Sequence, residues 1–506
     1  MPIFSLIITG ILIYIAVFSK GTTIDKFYKI FTIDCVVRLF FMQGYFVKIG
    51  SKVISRAADV CDLALLIYAI MILWHSKHLL KNKVVILGLC LLAISIIGIV
   101  FELAWPYEGL LLPKQNLMYN WDLYVAGKCS MIQYYPSIMD YAYYMRHLLI
   151  FVIIVAAFKM VFNIADFVRA YMNVIRMAKY GIYYGWLEFF LKNIVDNPTI
   201  TYDFAAIMFG VDEETCAKPF FKGIFYALQG FTREPSHFNV FIFSVVMLMI
   251  LGFFIAENLK NSMHIKLPYS KLTIISGILL LLMTGGFSAV WYICILPLGT
   301  AMLMRQRINR TSILKHRGAI LSGICCCAVF LFMIANNDYF TTRLQNAFHV
   351  LSFISNPSGS TAGLIHASGD GSTVARLLSI YEGVNIFVHR PLLGLGYKIQ
   401  DFHDNTVTYL VNMGLIGYYF FWRFLVSSIK SVKYDKLYLG VVFIIAGLPV
   451  IMSAYGLCVY WLLFIEGSMI ARKENKLLLG RGVAINTLNE KRLPPDGKKR
   501  QPILQK

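Results

Sequence analysis

Residues 84–104 read VVILGLCLLAISIIGIVFELA, a run in which only Glu102 carries a charge. Its length matches the roughly 20 apolar residues that an α-helix needs to cross a bilayer. Comparable runs lie at 2–19, 58–75, 146–165, 238–256, 318–335 and 405–427. The stretch 30–48 has the length of a span but holds Asp34 and Arg38. Two further stretches, 272–304 and 437–470, are too long for one crossing. Small residues interrupt them at Gly285-Gly286 and Ser453-Ala454-Tyr455-Gly456, and basic residues flank both ends: Lys271 and Arg305, Lys436 and Arg472. Flanks on one side demand an even number of crossings, so each stretch reads as a hairpin of two short helices. The sum is about 11–13 spans.

The chain as a whole agrees. Of its 506 residues 58% are hydrophobic, and the mean hydropathy is +0.66, more apolar surface than a soluble fold of this size carries. Backbone polar groups in lipid must be satisfied within each segment, which leaves helices or closed barrels. The long unbroken runs do not alternate as barrel strands do. The expected fold class is all-α: a polytopic transmembrane helical bundle with one large extracytoplasmic loop containing amphipathic helices.

The net charge of +20 fits a cytoplasmic excess of Lys and Arg better than a nucleic-acid partner, and none is expected. The ten cysteines form no Cys-x-x-Cys, so neither a zinc site nor a thioredoxin-like motif is indicated; Cys325-Cys326-Cys327 lies within an apolar run and reads as small apolar packing. The opening MPIFSLIITGILIYIAVFS lacks a basic start and a small-residue cleavage site, so it reads as a retained span.

Charge sorts the loops. RQRINRTSILKHR (305–317) carries five Lys/Arg and no acid, and SSIKSVKYDK (427–436) three Lys and one Asp. The tail from 471 carries ten Lys/Arg and three acids. These read as cytoplasmic, C-terminus included. Residues 336–402, balanced at four Lys/Arg and four acids, fall on the opposite side. The chain thus divides into N-terminal helices and surface segments (1–237), a C-terminal transmembrane core with the outer loop 336–404 (238–471), and a basic tail (472–506) of disordered composition. Between 165 and 237 the crossing count leaves two readings. Arg169, Arg176 and Lys179 look cytoplasmic, yet 238–256 must start outside. Either a crossing lies near 180–210, or the basic stretch is an amphipathic surface helix.

The outer loop holds the candidate chemistry. ISNPSGSTAGLIHASGDGST (354–373) is Gly- and Ser-rich and reads as a mobile surface loop; its GDGST lacks the Lys and spacing of a phosphate-binding P-loop. In the segment that follows, Leu377, Leu378, Tyr381, Val384 and Phe387 recur at helical spacing, which predicts an amphipathic helix over 374–388 at the membrane surface. Pro391 ends it, and Gly394 and Gly396 turn the chain toward the bundle. Arg376 and Arg390 begin and end that helix. Two guanidinium forks match a diphosphate; the plainer alternative is snorkelling to lipid headgroups. His403, where the chain re-enters, has the titration range of a general base. Its plainer alternative is a helix-entry residue, with Asp404 and Asn405 capping the next span. Arg233 and Glu234 precede the span at 238–256. Glu234 before Pro235 is ordinary N-terminal chemistry, whereas a cation there is disfavoured.

The pattern Arg376…VHRPLLGLGY…His403-Asp404-Asn405…LVNMGLIGYYFFWRF, with TREPSHFNVFIF (232–243) and LLLLMTGGFSAVWYICILPL (279–298), resembles the bacterial O-antigen polymerase and O-antigen ligase family over about 220–430. The resemblance implies a metal-independent glycosyltransferase of the bacterial cytoplasmic membrane. Its substrate would be an undecaprenyl-diphosphate-linked oligosaccharide, with membrane lipids around it and a chain-length regulator and a flippase as partners, and with no cofactor. Arg233 and Arg376 match the family's diphosphate-binding arginines, joined by Arg390, and His403 its catalytic base; Glu234, Asp404 and Asn405 support them. The sequence departs from the family where Ser288-Ala289 replaces a frequent Ser-Arg, where Asn412 replaces a frequent acid, and where Asp404 separates the histidine from the asparagine.

Overall fold

The computed structural model describes residues 3–41, 45–49, 52–76, 79–107, 136–197, 226–232, 235–258, 265–284, 383–396 and 405–425, with isolated positions between them. The segments expected at 318–335 and 437–470, most of 285–304, the loop 354–373 and the tail lie outside the described residues. Helix α1 (Ile3–Ile13) continues as a π turn through Tyr14–Phe18. Helix α2 (Thr23–Phe41) is followed by an antiparallel hairpin, β1 (Tyr45–Ile49) with β2 (Lys52–Arg56), and then by α3 (Ala57–Trp74), α4 (Lys83–Ala104), α5 (Ile138–Met160), α6 (Ile164–Asn193), α7 (Pro235–Asn258), α8 (Lys271–Met283) and α9 (Asn405–Leu425).

The elements begin where the caps put them. Thr22 N–H and hydroxyl donate to Asp25 Oδ2 at 3.0 and 2.9 Å, and Asp25 N–H returns the bond at 3.2 Å, a capping box that starts α2. The span expected at 30–48 is therefore replaced by a helix that ends at Phe41 and a first strand at Tyr45–Ile49. YFVKI and KVISR are rich in β-formers, and Gly50-Ser51 between them suits a two-residue hairpin connection. This hairpin is a small departure from the all-α expectation. A Ser137/Asp140 box starts α5 ahead of the expected 146–165. Asn163 ends that run by accepting from Ala165 N–H at 2.8 Å, which opens α6.

Among the described residues three helices, α3, α4 and α5, are long and apolar enough to cross a membrane. Exposed side chains of α4 include Ile86, Leu89, Ile96, Ile97, Val100 and Leu103, while Ser95 and Glu102 are buried. A helix apolar on its outward face and polar within is ordered for lipid.

Contacts fix the directions of the helices. Asp59 near the start of α3 lies 3.9 Å from Arg146 in α5, and Arg38 near the end of α2 bonds Asp62. Phe31 of α2 meets Phe158 of α5, with ring centroids 5.0 Å apart. Phe40 of α2 stacks at 4.8 Å on Phe231, just ahead of α7. The ends of α2, α4, α6 and α8 and the starts of α3, α5 and α7 thus gather with the β-hairpin at one end of the bundle. Over 165–237, where the sequence leaves two readings, the structure gives a helix of 30 residues, about 45 Å long, packed against α2, α7 and α8. Its Gly181 and Gly185 have no room for a Cβ, because the rings of Phe241 and Phe238 lie against them. Small residues four apart leave hollows on the helix that the aromatic side chains of its neighbour fill. Tyr269, ahead of α8, seats its hydroxyl against Gly252 and donates to Met249 O; burial pushes its phenol above the ordinary range.

Candidate functional site

Two turns lie at the hairpin end, and each runs next to a sequence-predicted site residue. The first is 226–232, buried from Ala227 through Thr232. Helix α6 holds it with side chains from its last turns. Glu188 and Lys192, both 0% exposed, form an ion pair at 2.6 Å. The two Glu188 carboxylate oxygens accept from successive backbone N–H groups, Gln229 at 3.1 Å and Gly230 at 2.6 Å. Lys192 donates to Ala227 O at 3.4 Å, and Asn193 Oδ1 accepts from Tyr226 N–H at 2.6 Å. Gly230 adopts φ +58 with the Phe238 ring on the face where a Cβ would stand.

The second turn is Arg390–Gly396. Residues 383–389 are helical, and the Arg390 N–H bonds to Ile386 O and Phe387 O as the helix closes before Pro391. Residues 374–379 and 381–382 of the expected amphipathic helix lie outside the described residues. In the part described, Ile386 is buried, Phe387 packs partly buried against the same cluster, and Val384 is 45% exposed. Gly394 (φ +65) and Gly396 (φ +68) make the expected turn.

Helix α9 is not the single continuous span expected at 405–427. It breaks at Gly414 (φ 63, ψ −177). The rings of Tyr409 and Phe421 stand 4.8 Å apart, where a straight helix would separate those residues by about 18 Å along its axis. The turn fills the break. Val411 O and Asn412 O accept from Leu395 N–H at 2.8 Å and Gly396 N–H at 3.0 Å, while Leu415 and Ile416 N–H donate to Pro391 O and Leu392 O at 2.8 and 3.1 Å. A helix break leaves orphan donors and acceptors, and here the turn satisfies both kinds. The glycines are there because backbone packs on backbone: a Cβ on Gly394 would stand 2.5 Å from Val411 O, and one on Gly414 would overlap Leu392.

Arg390 ties this turn to the end of α4. Its Nε lies 3.7 Å from Glu102 Oε2, Nη2 donates to Trp105 O, and the guanidinium sits 5.2 Å from the centre of the Phe101 ring. Glu102, the one charge in the opening sequence run, is 2% exposed and accepts from Tyr107 N–H at 2.8 Å. Arg390→Ala strips that buried carboxylate of its cation and is expected to destabilise the protein by about 1–3 kcal/mol, with most of the loss recovered in Arg390→Ala/Glu102→Gln. Thermal unfolding in detergent checks this.

Arg233, Glu234, Arg376, His403 and Asp404 lie outside the described residues. Asn405 opens α9. Sequence reasoning passed over two buried polar groups, Glu188 and Lys192, and noted a third, Asn412, only as a departure from the family pattern. Glu188 and Lys192 stand four apart on a helix, a spacing usually read as a solvated surface pair. Asn412 is fully buried just before the break, and neither atom of its amide has a hydrogen-bond partner. Comparison with known protein families, curated proteins and solved structures finds no match.

Proposed function

We propose that this chain is a polytopic membrane polysaccharide polymerase. In this reading it joins undecaprenyl-diphosphate-linked repeat units into O-antigen, capsule or exopolysaccharide at the outer face of the bacterial cytoplasmic membrane. The hydroxyl of an acceptor sugar attacks the anomeric carbon of a lipid-linked chain, and the bond from that carbon to the diphosphate oxygen breaks. His403 takes the hydroxyl proton, and Arg233 and Arg376, with Arg390, stabilise the departing diphosphate. The observation that carries the reading is the common placement of two turns: 226–232, which leads to Arg233, and Arg390–Gly396, which precedes His403 in sequence, share the hairpin end of the bundle. That end then corresponds to the outer face given by loop charge.

A ligase passing the glycan to a lipid A core or protein acceptor uses the same parts. A flippase or exporter of lipid-linked glycan is the second reading, favoured by the broken α9, since interrupted helices build transporter sites. Against it, the buried and partly buried ion pairs of the described residues (Asp34–Arg38–Asp62, Glu188–Lys192 and Glu102–Arg390) all cluster at the hairpin end and do not line a path through the bundle. In membranes carrying His403→Ala, polymer is expected to vanish while single repeat units still reach the outer face. Retained polymer would remove His403 from the mechanism, and failure of repeat units to appear outside would favour the flippase.

A further inference from the structure

The Glu188–Lys192 pair lies in a place where burial is costly. An i,i+4 pair on α6 could face outward, where it needs no desolvation; here both side chains are 0% exposed. Removing two charges from a polar medium costs several kcal/mol per ion before their attraction offsets it, so the site calls for a specific use of the carboxylate. The geometry supplies one. Two adjacent N–H groups, Gln229 and Gly230, point at the two oxygens of one side chain. Only a carboxylate offers two acceptors in that position. An amide of the same shape offers one acceptor and one donor, and so faces one of the N–H groups with another N–H. The Lys192 ammonium neutralises the carboxylate and reaches Ala227 O, while the Thr232 hydroxyl closes the turn on Gln229 O at 2.7 Å. The next residue in the chain is Arg233.

We propose that Glu188 is a positioning residue: by fixing the Gln229–Gly230 turn it sets Arg233 for the diphosphate of the lipid-linked donor. This rests on the transferase reading of Arg233. Displacing a catalytic contact by about 1 Å costs up to a hundredfold in rate.

The test is a double-mutant cycle on the full chain reconstituted in liposomes with a lipid-linked repeat unit. Inorganic pyrophosphate serves as inhibitor and as probe of the diphosphate site. Glu188→Gln is expected to lower kcat/KM for the donor, and to weaken pyrophosphate inhibition, by about tenfold to a hundredfold. Glu188→Gln/Arg233→Ala is expected to lose no more than Arg233→Ala alone, because Glu188 acts through Arg233. Losses that add, or a Glu188→Gln protein with wild-type kinetics and inhibition, would overturn the assignment. If Glu188→Gln does not accumulate folded, Glu188→Gln/Lys192→Met removes both charges together and takes its place in the cycle. Arg233→Ala with unchanged kinetics and inhibition would instead sink the transferase reading of Arg233, and the positioning role with it.

Discussion

Lys192→Met is expected to be among the most damaging single substitutions in the N-terminal half, costing about 3–5 kcal/mol. The methionine fills the space of the lysine stem but leaves the Glu188 carboxyl 0% exposed and without its cation. The two backbone N–H groups that Glu188 accepts from cannot replace a full positive charge. Because membrane proteins commonly unfold irreversibly, the readout is the half-life of the folded form in detergent at a fixed elevated temperature. Glu188→Gln/Lys192→Met is expected to regain most of the lost lifetime, since a neutral pair carries no uncompensated charge. A Lys192→Met protein as long-lived as the wild type would mean that the pair is not buried as described.

The second large effect is at Gly414. Its φ of 63 and ψ of −177 fall in a region that is essentially glycine-only, and a Cβ there would overlap the Leu392 backbone. Gly414→Ala is expected to cost about 3 kcal/mol or more, 1–3 from the backbone alone and the rest from forcing the Pro391–Gly396 turn out of the break. Gly10→Ala is the matched control. Gly10 lies within α1, and nothing stands within 4 Å of where its Cβ would be. The same exchange there is expected to be neutral or to stabilise by up to about 1 kcal/mol. Thermal unfolding of the two variants side by side reads the contrast; a Gly414→Ala protein no weaker than Gly10→Ala would mean that α9 is not broken at this residue.

The sequence determined much of this unaided. The apolar runs at 58–75 and 84–104 became α3 and α4 nearly to the residue, and 238–256 became the body of α7, because a lipid-crossing segment must be apolar along its whole length and so announces itself locally. The turn at Gly394 and Gly396 was legible for a similar reason: a glycine pair after a proline is local backbone chemistry. Capping boxes at Thr22/Asp25 and Ser137/Asp140 were present in the sequence, and they explain why α2 and α5 begin ahead of the apolar runs used to find them.

Tertiary structure alone decided the rest. Nothing in NMGLIG distinguishes a glycine that packs two helices from one that breaks a helix; the choice depends on whether another segment can satisfy the freed carbonyls and N–H groups, and Arg390–Gly396 does so from outside the helix. Likewise Glu188 and Lys192 have the spacing of a surface pair, and only the arrival of 226–232 against α6 turns them inward. Residue composition fixes which solvent a segment prefers, since that preference belongs to the segment itself. Which polar groups end up opposite one another belongs to pairs of segments far apart in the chain, and only folding brings those together.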